Sequence, residues 1–430
     1  MNSHALESTV STATAAHEGG ERRRWLIVFL LFAAMLVNYV DRGNLSIAAV
    51  PLMREFGMSP AAMGALLSAF FWTYASLQVP AGYLVDRFGL KWTYAIAYLF
   101  WSSASAAMGL AGSFSQILAL RVLLGIGESA SQPASLAYIR QHFREQEQGL
   151  PTAIHVSGMT LGPAVGALLG ASVLVSFGWR MLFVLTGLGA LLWLVPWLLL
   201  APGRSTAIRA RPSDVKTAPK PWKLLVTMPT FWGITVGAFF YSYYSYFCLT
   251  WLPSYLVMER GYSFLKMGAF TAMPYIGTVV VSFCSARAAD RLIARFGGPM
   301  HVRRMFVSAG FLLGSSILLL LVSQSSSAVL ASLMTSLIGI GLASSNYWAL
   351  TEAISPGTIV GRVIGYQNMI ASIGGLCAPM LTGFLVDRTK SFSLPIVIAG
   401  GALLVGFAAY MTLLRQRDVD ALLERFPEAP

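Results

Sequence analysis

A chain of 430 residues that is 56% hydrophobic, 12% aromatic and only 11% charged, with a mean hydropathy of +0.65, is too apolar for a soluble domain and reads as a polytopic membrane protein. The net charge of +12 does not indicate nucleic acid, because the cations cluster in short segments between apolar runs. Cys248, Cys284 and Cys377 all fall within apolar runs, which excludes a disulfide framework or a CxxC metal site.

Residues 1–24 begin with a Ser, Thr, Ala and His-rich stretch lacking an apolar face and are expected to form a disordered tail. Arg22-Arg23-Arg24 and the apolar run after them imitate a signal peptide. The run is too long for one, and it continues into Asp41-Arg42 without a small-residue cleavage site. Measured against the roughly 20 residues needed to cross a bilayer, the chain holds twelve apolar segments, near 25–50, 60–84, 92–111, 115–139, 149–173, 180–201, 230–258, 267–288, 303–323, 327–352, 361–386 and 392–415. Residues 202–229, rich in Pro, Lys and Arg, divide them six and six. The expected plan is an N-terminal bundle over 25–201, a linker over 202–229, a C-terminal bundle over 230–415 and a tail over 416–430. Placing the N-terminus in the cytoplasm puts 22 of the 30 Lys and Arg residues on the inner side and 6 on the outer. The positive-inside rule therefore makes both termini cytoplasmic.

The halves echo each other. Span 2 ends in GYLVDRFGLK (Gly82 to Lys91), span 8 in Ala289-Asp290-Arg291, and span 11 in GFLVDR (Gly383 to Arg388). Spans 2 and 11 run in opposite directions, as they would if three-span units were inverted within each half.

Four charges lie where hydrocarbon is expected. Each costs about 2.5–3.5 kcal/mol at a helix centre, so intramembrane Asp and Arg face a bundle interior or a wet cavity. Asp41 and Arg42 sit deep in span 1. Arg121 and Glu128 are seven residues apart on one face of span 4. The set is formally neutral. Permanently paired it would be structural, whereas with titrating acids it is a switch, because burial favours the neutral acid and a nearby Arg favours the carboxylate.

Over residues 22–415 the sequence resembles the major facilitator superfamily, whose signature between spans 2 and 3 is similar to GYLVDRFGLK. YVDRGNL in span 1 and LRVLLGIGESASQP in span 4 resemble its anion:cation symporter family, which includes bacterial galactonate, hexuronate and glucarate permeases. The resemblance implies an all-α fold of twelve transmembrane helices in two pseudo-symmetric six-helix bundles. It also implies a monomer in the bacterial inner membrane that imports an organic anion with protons and needs no cofactor. Tartrate-, phthalate- or aromatic-acid-type substrates, export, and a transporter-like sensor stay open; an intramembrane enzyme has no supporting motif.

Neighbouring residues on a helix point about 100° apart, so Arg42 is assigned to the central cavity and Asp41 to the side of span 4 and Arg121. By resemblance, Arg42 holds the substrate carboxylate, Asp41 and Glu128 take protons, and Arg121 reports their protonation. Gly82, Asp86, Arg87, Gly89 and Lys91 form the conformational motif. Further expected substrate contacts are Tyr39, one turn below Arg42, Tyr74 and Gln78 on span 2, Ser345 and Asn346 on span 10, and Asn368 on span 11. Span 7 adds a crowd of tyrosines, Tyr241, Tyr243, Tyr244 and Tyr246, some of them facing the cavity. His155 is either a satisfied core histidine or a ligand or proton relay, and Met159 stands where galactonate-type relatives tend to be polar. Gly158-Met-Thr-Leu-Gly162-Pro163-Ala-Val-Gly166 resembles a signature of proton-coupled drug antiporters, but its small residues mainly permit close helix packing.

Overall fold

In the computed structural model, residues 3–144, 147–202, 222–356 and 359–425 are described, with side chains from Glu21. Sixteen α-helices appear among them: α1 (Ser3–Ile47), α2 (Ala49–Phe56), α3 (Pro60–Phe88), α4 (Leu90–Met108), α5 (Phe114–Glu128), α6 (Ser131–His142), α7 (Gly149–Ala190), α8 (Leu194–Leu200), α9 (Trp222–Leu225), α10 (Pro229–Met258), α11 (Phe264–Phe296), α12 (Pro299–Gly314), α13 (Ser326–Ile354), α14 (Val360–Thr389), α15 (Ser393–Leu413) and α16 (Gln416–Arg425). Most of the expected linker, 203–221, lies outside the described residues. The N-terminal stretch expected to be disordered is helical from Ser3 onward, consistent with its Ala and Glu content.

Eight of the described helices are long and apolar enough to cross a bilayer. One of these, Gly149–Leu200, is 52 residues long, and Gly178 at φ 80 breaks it into spans 5 and 6. With α4, the α5–α6 pair and α10, the chain makes the twelve expected crossings.

Local sequence sets where the spans bend and begin. Span 1 breaks at Ala48, three residues before Pro51, and span 4 breaks after Glu128, five residues before Pro133. In each case the proline ring lacks the N–H that an unbroken helix would use. Spans 2, 4, 8 and 10 all start with a Ser N-cap: Ser59, Ser113, Ser263 and Ser325 accept from the backbone N–H three residues on.

Span 1 packs on span 5, spans 2 and 11 pack together, and spans 5 and 8 do the same. Near the face opposite the termini, spans 2 and 11 meet backbone to backbone. A Cβ on Gly64 would lie 2.6 Å from the Pro379 carbonyl oxygen and 3.1 Å from the Gly383 Cα. The Gly158–Gly166 run seats span 5 on span 1, where a Cβ on Gly162 would come within 2.6 Å of the Tyr39 Cβ. That contact fits the packing reading of the run. The C-terminal segment is more than a tail. Through α16 it buries Val419 and Leu422, and Asp418 accepts from the Thr230 N–H (3.1 Å) and hydroxyl (2.8 Å) at the start of α10.

Candidate functional site

Arg42 is 4% exposed in the middle of span 1. Its Nε donates to Glu128 Oε2 at 2.9 Å and its Nη1 to the Tyr246 hydroxyl at 3.1 Å. The rings of Tyr39, Phe70 and Tyr74 surround the guanidinium, with centroids 4.7, 4.4 and 4.5 Å from its central carbon. A cation stripped of water gains most from such faces, at roughly 2 kcal/mol or more. Tyr246 belongs to span 7, so the guanidinium joins the two bundles. Its partner lies at the span 4 break, where Glu128 is the last residue of α5.

The pairing differs from the sequence expectation. Asp41, fully buried, accepts from the Ser105 hydroxyl of span 3 at 2.8 Å and from Asn44 Nδ2 at 3.5 Å, with no ion pair to Arg121. Asn44 also donates to Thr186 of span 6 at 2.9 Å. Arg121 is 2% exposed and lies 5.6 Å from the Phe70 ring, but its Nε and Nη1 make no hydrogen bond. Side chains lean toward the N-terminus of their own helix, and spans 1 and 4 run in opposite directions. Arg42 therefore leans toward the face that holds the termini and Glu128 toward the opposite face, and they meet across a level difference that backbone counting makes too large. Asn38, Asp41 Oδ2, Asn44 Oδ1 and Glu128 Oε1 share the unpartnered, buried condition of Arg121. So many orphaned polar atoms around one centre are the usual setting of ordered internal water.

The other expected contacts divide into two groups. Tyr39 and Tyr74 flank Arg42. Gln78 and Asn368 bond to each other across the bundles, Asn368 Nδ2 donating to Gln78 Oε1 at 2.9 Å. Ser345 and Asn346, by contrast, turn into the C-terminal bundle. Ser345 donates to the Ser282 carbonyl at 3.1 Å, and Asn346 donates to the Leu342 carbonyl at 3.1 Å and accepts from Arg303 at 3.4 Å. Arg303 lines a separate cleft of about 500 Å³ with Asp290 and Glu352. In this conformation the hydrogen-bonding groups of Ser345 and Asn346 are engaged within the C-terminal bundle, by spans 8, 9 and 10.

In the loop motif, Gly89 has φ 85 at the turn between α3 and α4, a backbone that an L side chain resists. Asp86 and Arg87 are exposed, and Arg87 donates to the Tyr83 hydroxyl at 3.4 Å. The Lys91 carbonyl accepts from the Trp197 indole at 3.0 Å, and Gly82 packs toward Pro133. His155 is fully buried, with its ring nitrogens 3.3 Å from the Leu31 carbonyl and 3.3 Å from Gln132 Oε1. Both nitrogens have neighbours, as in a satisfied core histidine.

The sequence reading missed Phe70 and Ser105. Phe70 was findable one turn before Tyr74, whereas Ser105 carries no signal beyond being a small polar residue in span 3.

The family model described as Major Facilitator Superfamily matches residues 31–379. The chain belongs to that superfamily. It is 29% identical over 405 residues to a protein of Escherichia coli (strain K12) named as a probable L-galactonate transporter, covering 90% of this chain and 89% of that one. To the hexuronate transporter of Bacillus subtilis (strain 168) it is 30% identical over 405 residues, covering 90% and 94%. The fold is similar to that of an inward-facing, unoccupied bacterial homolog of the human lysosomal transporter Spinster. There the TM-score is 0.70 at 20% identity, over 93% of this chain and 94% of that one. This major facilitator protein is thus an all-α, twelve-span membrane protein that resembles carriers of sugar acids.

Proposed function

We propose that the protein is a proton-coupled secondary transporter that imports a sugar acid, a hexonate, hexarate or hexuronate, by alternating access. The observation that carries this reading is Arg42, a buried guanidinium shared between Glu128 and Tyr246 and walled by three aromatic rings. An Arg fork suits a carboxylate because it donates two parallel hydrogen bonds. Here one of those donors is occupied by Glu128. An incoming anion and the Glu128 carboxylate compete for the same cation, and protonating Glu128 removes one competitor. Proton uptake and anion binding thereby become parts of one exchange.

Asp41 is the second protonation site in this scheme, and Arg121, buried with two unbonded nitrogens, responds to either. Asp86 and Arg87 serve the transition between open states from the inner-face loop. The distribution of Lys and Arg supports an inner-membrane protein with both termini in the cytoplasm, acting as a monomer on a small anion and protons. Met159, partly buried in span 5, favours a second reading, a carboxylate with fewer hydroxyls. The test is uptake of a panel of sugar acids and simpler carboxylates by proteoliposomes under an inward proton gradient. Gradient-driven accumulation of a hexonate, hexarate or hexuronate is expected; accumulation of none of the acids, with or without the gradient, rules the reading out.

A further inference from the structure

The amide pair Gln78–Asn368 occupies a particular level in the molecule. Gln78 lies one turn, ~6 Å, beyond Tyr74 toward the face that holds the termini, and Tyr74 flanks Arg42 at 4.5 Å. On the opposite side of Arg42, the same two spans meet through Gly64, Pro379 and Gly383, and the Ser46 hydroxyl donates to the Thr250 carbonyl at 2.6 Å. Spans 2 and 11 therefore close the site by two different means. Toward one face the closure is backbone against backbone. Toward the other it includes an exchangeable amide–amide hydrogen bond of 2.9 Å, both partners only partly buried.

We propose that Gln78 and Asn368 form a latch on the inner side of the site, whose hydrogen bond holds spans 2 and 11 together and whose release lets the inner face open. The latch rests on the reading of the protein as an alternating-access carrier with its site at Arg42. It differs from a substrate contact in that it acts with the site empty. An amide pair suits the task because each partner carries both donor and acceptor groups. A ligand hydroxyl or water entering between them replaces the bond without leaving either amide unpaired. Gly365 lies three residues toward the inner end from Asn368, and a Cβ there meets nothing within 4 Å, so that end of span 11 has room to move.

The experiment uses the ligand-free, full-length carrier in proteoliposomes, with Cys248, Cys284 and Cys377 replaced. Spin labels are placed on Phe88→Cys, at the inner end of span 2, and on Gly365→Cys. Their separation is read as a distance distribution by pulsed electron spin resonance. Gln78→Met and Asn368→Leu remove hydrogen bonding while keeping side-chain volume. Each is expected to raise the ratio of wide to narrow separations by about 2- to 12-fold, the weight of one hydrogen bond. Because both act through a single bond, the double variant is expected to do no more than either alone. Unchanged distributions in the single variants, or shifts that add in the double variant, overturn the latch; additive shifts would mean two separate roles. A purely structural bridge lowers the melting temperature without redistributing the separations, and that result also overturns it. No substrate enters the measurement, so a carrier that moves no sugar acid overturns the functional reading and leaves this result standing.

Discussion

Arg42 and Glu128 stand 86 residues apart in the chain and 2.9 Å apart in space, both essentially without solvent. Breaking such a pair by deleting one partner strands a buried charge, at a cost of about 3–5 kcal/mol. Neutralising Glu128 without changing its shape does something different, since Arg42 keeps Tyr246 and its three rings. Glu128→Gln is therefore expected to bind substrate at least as well as the parent and to catalyse exchange of labelled for unlabelled substrate. It should fail to accumulate substrate against a gradient, because a fixed neutral side chain carries no proton across. Arg42→Ala is expected to lose binding altogether. Accumulation by Glu128→Gln at the parent rate would remove Glu128 from the coupling scheme.

Asp41 is held apart from that pair by Ser105 and Asn44, which gives the site a second carboxylate on its own set of partners. Two protons per monoanion would make uptake electrogenic, gaining about 2.3 kcal/mol per 100 mV for the net charge moved. At equal pH on both sides, an interior-negative potential is expected to drive uptake by the parent protein and not by Asp41→Asn. Potential-insensitive uptake of a monoanion by the parent would leave room for only one proton.

Gly64 has no room for a side chain, with the Pro379 carbonyl oxygen 2.6 Å from where its Cβ would be. Gly64→Ala is expected to push spans 2 and 11 apart at that end, at a cost of about 1–3 kcal/mol. The carrier should then shift toward the state open on the side opposite its termini, with slower net transport. Alkylation of cysteines near Arg42 by a membrane-impermeant reagent added from that side checks this. The expected result is faster labelling than in the parent, and unchanged labelling contradicts the packing argument.

Glu55 lies at the end of α2, outside the spans, where Arg180 and Trp179 donate to its carboxylate at 2.7 Å each. Those hydrogen bonds, Arg180's first, hold its carboxyl below the usual range. The contact's contribution is therefore fully present above the ordinary Glu range and is lost as pH falls through the lowered value. Since the ion pair's own members, Glu55 and Arg180, are well exposed, Glu55→Gln is expected to lower thermal stability by only a few tenths of a kcal/mol at neutral pH. The difference from the parent should vanish in acid. A difference that grew on acidification would mean that the ion pair is not its source.

Span 7 shows how far pattern reading reaches. Tyr241, Tyr243, Tyr244 and Tyr246 are indistinguishable as sequence, yet Tyr246 alone of the four hydrogen-bonds Arg42. Tyr241 stacks on Tyr347 at 4.8 Å, and Tyr244 bonds Ser336 inside the C-terminal bundle. Ser345 and Asn346 illustrate the same limit, since both bond within the C-terminal bundle. A buried amide needs a partner, but a neighbouring helix meets that need as well as a ligand does.

What the sequence determined by itself is what depends on neighbours along the chain. Twelve apolar runs, the breaks ahead of Pro51 and Pro133, the glycine turn at Gly89 and a neutral set of four buried charges follow from local chemistry and helical period. Which acid faces which base was decided only by tertiary structure. Side-chain lean, helix tilt and the register of spans 1, 3 and 4 bring Glu128 to Arg42 and Ser105 to Asp41, and leave Arg121 with unbonded nitrogens. Gln78 and Asn368, 290 residues apart, carried no mutual signal at all. Their bond exists because the packing of spans 2 and 11 sets two distant helices side by side.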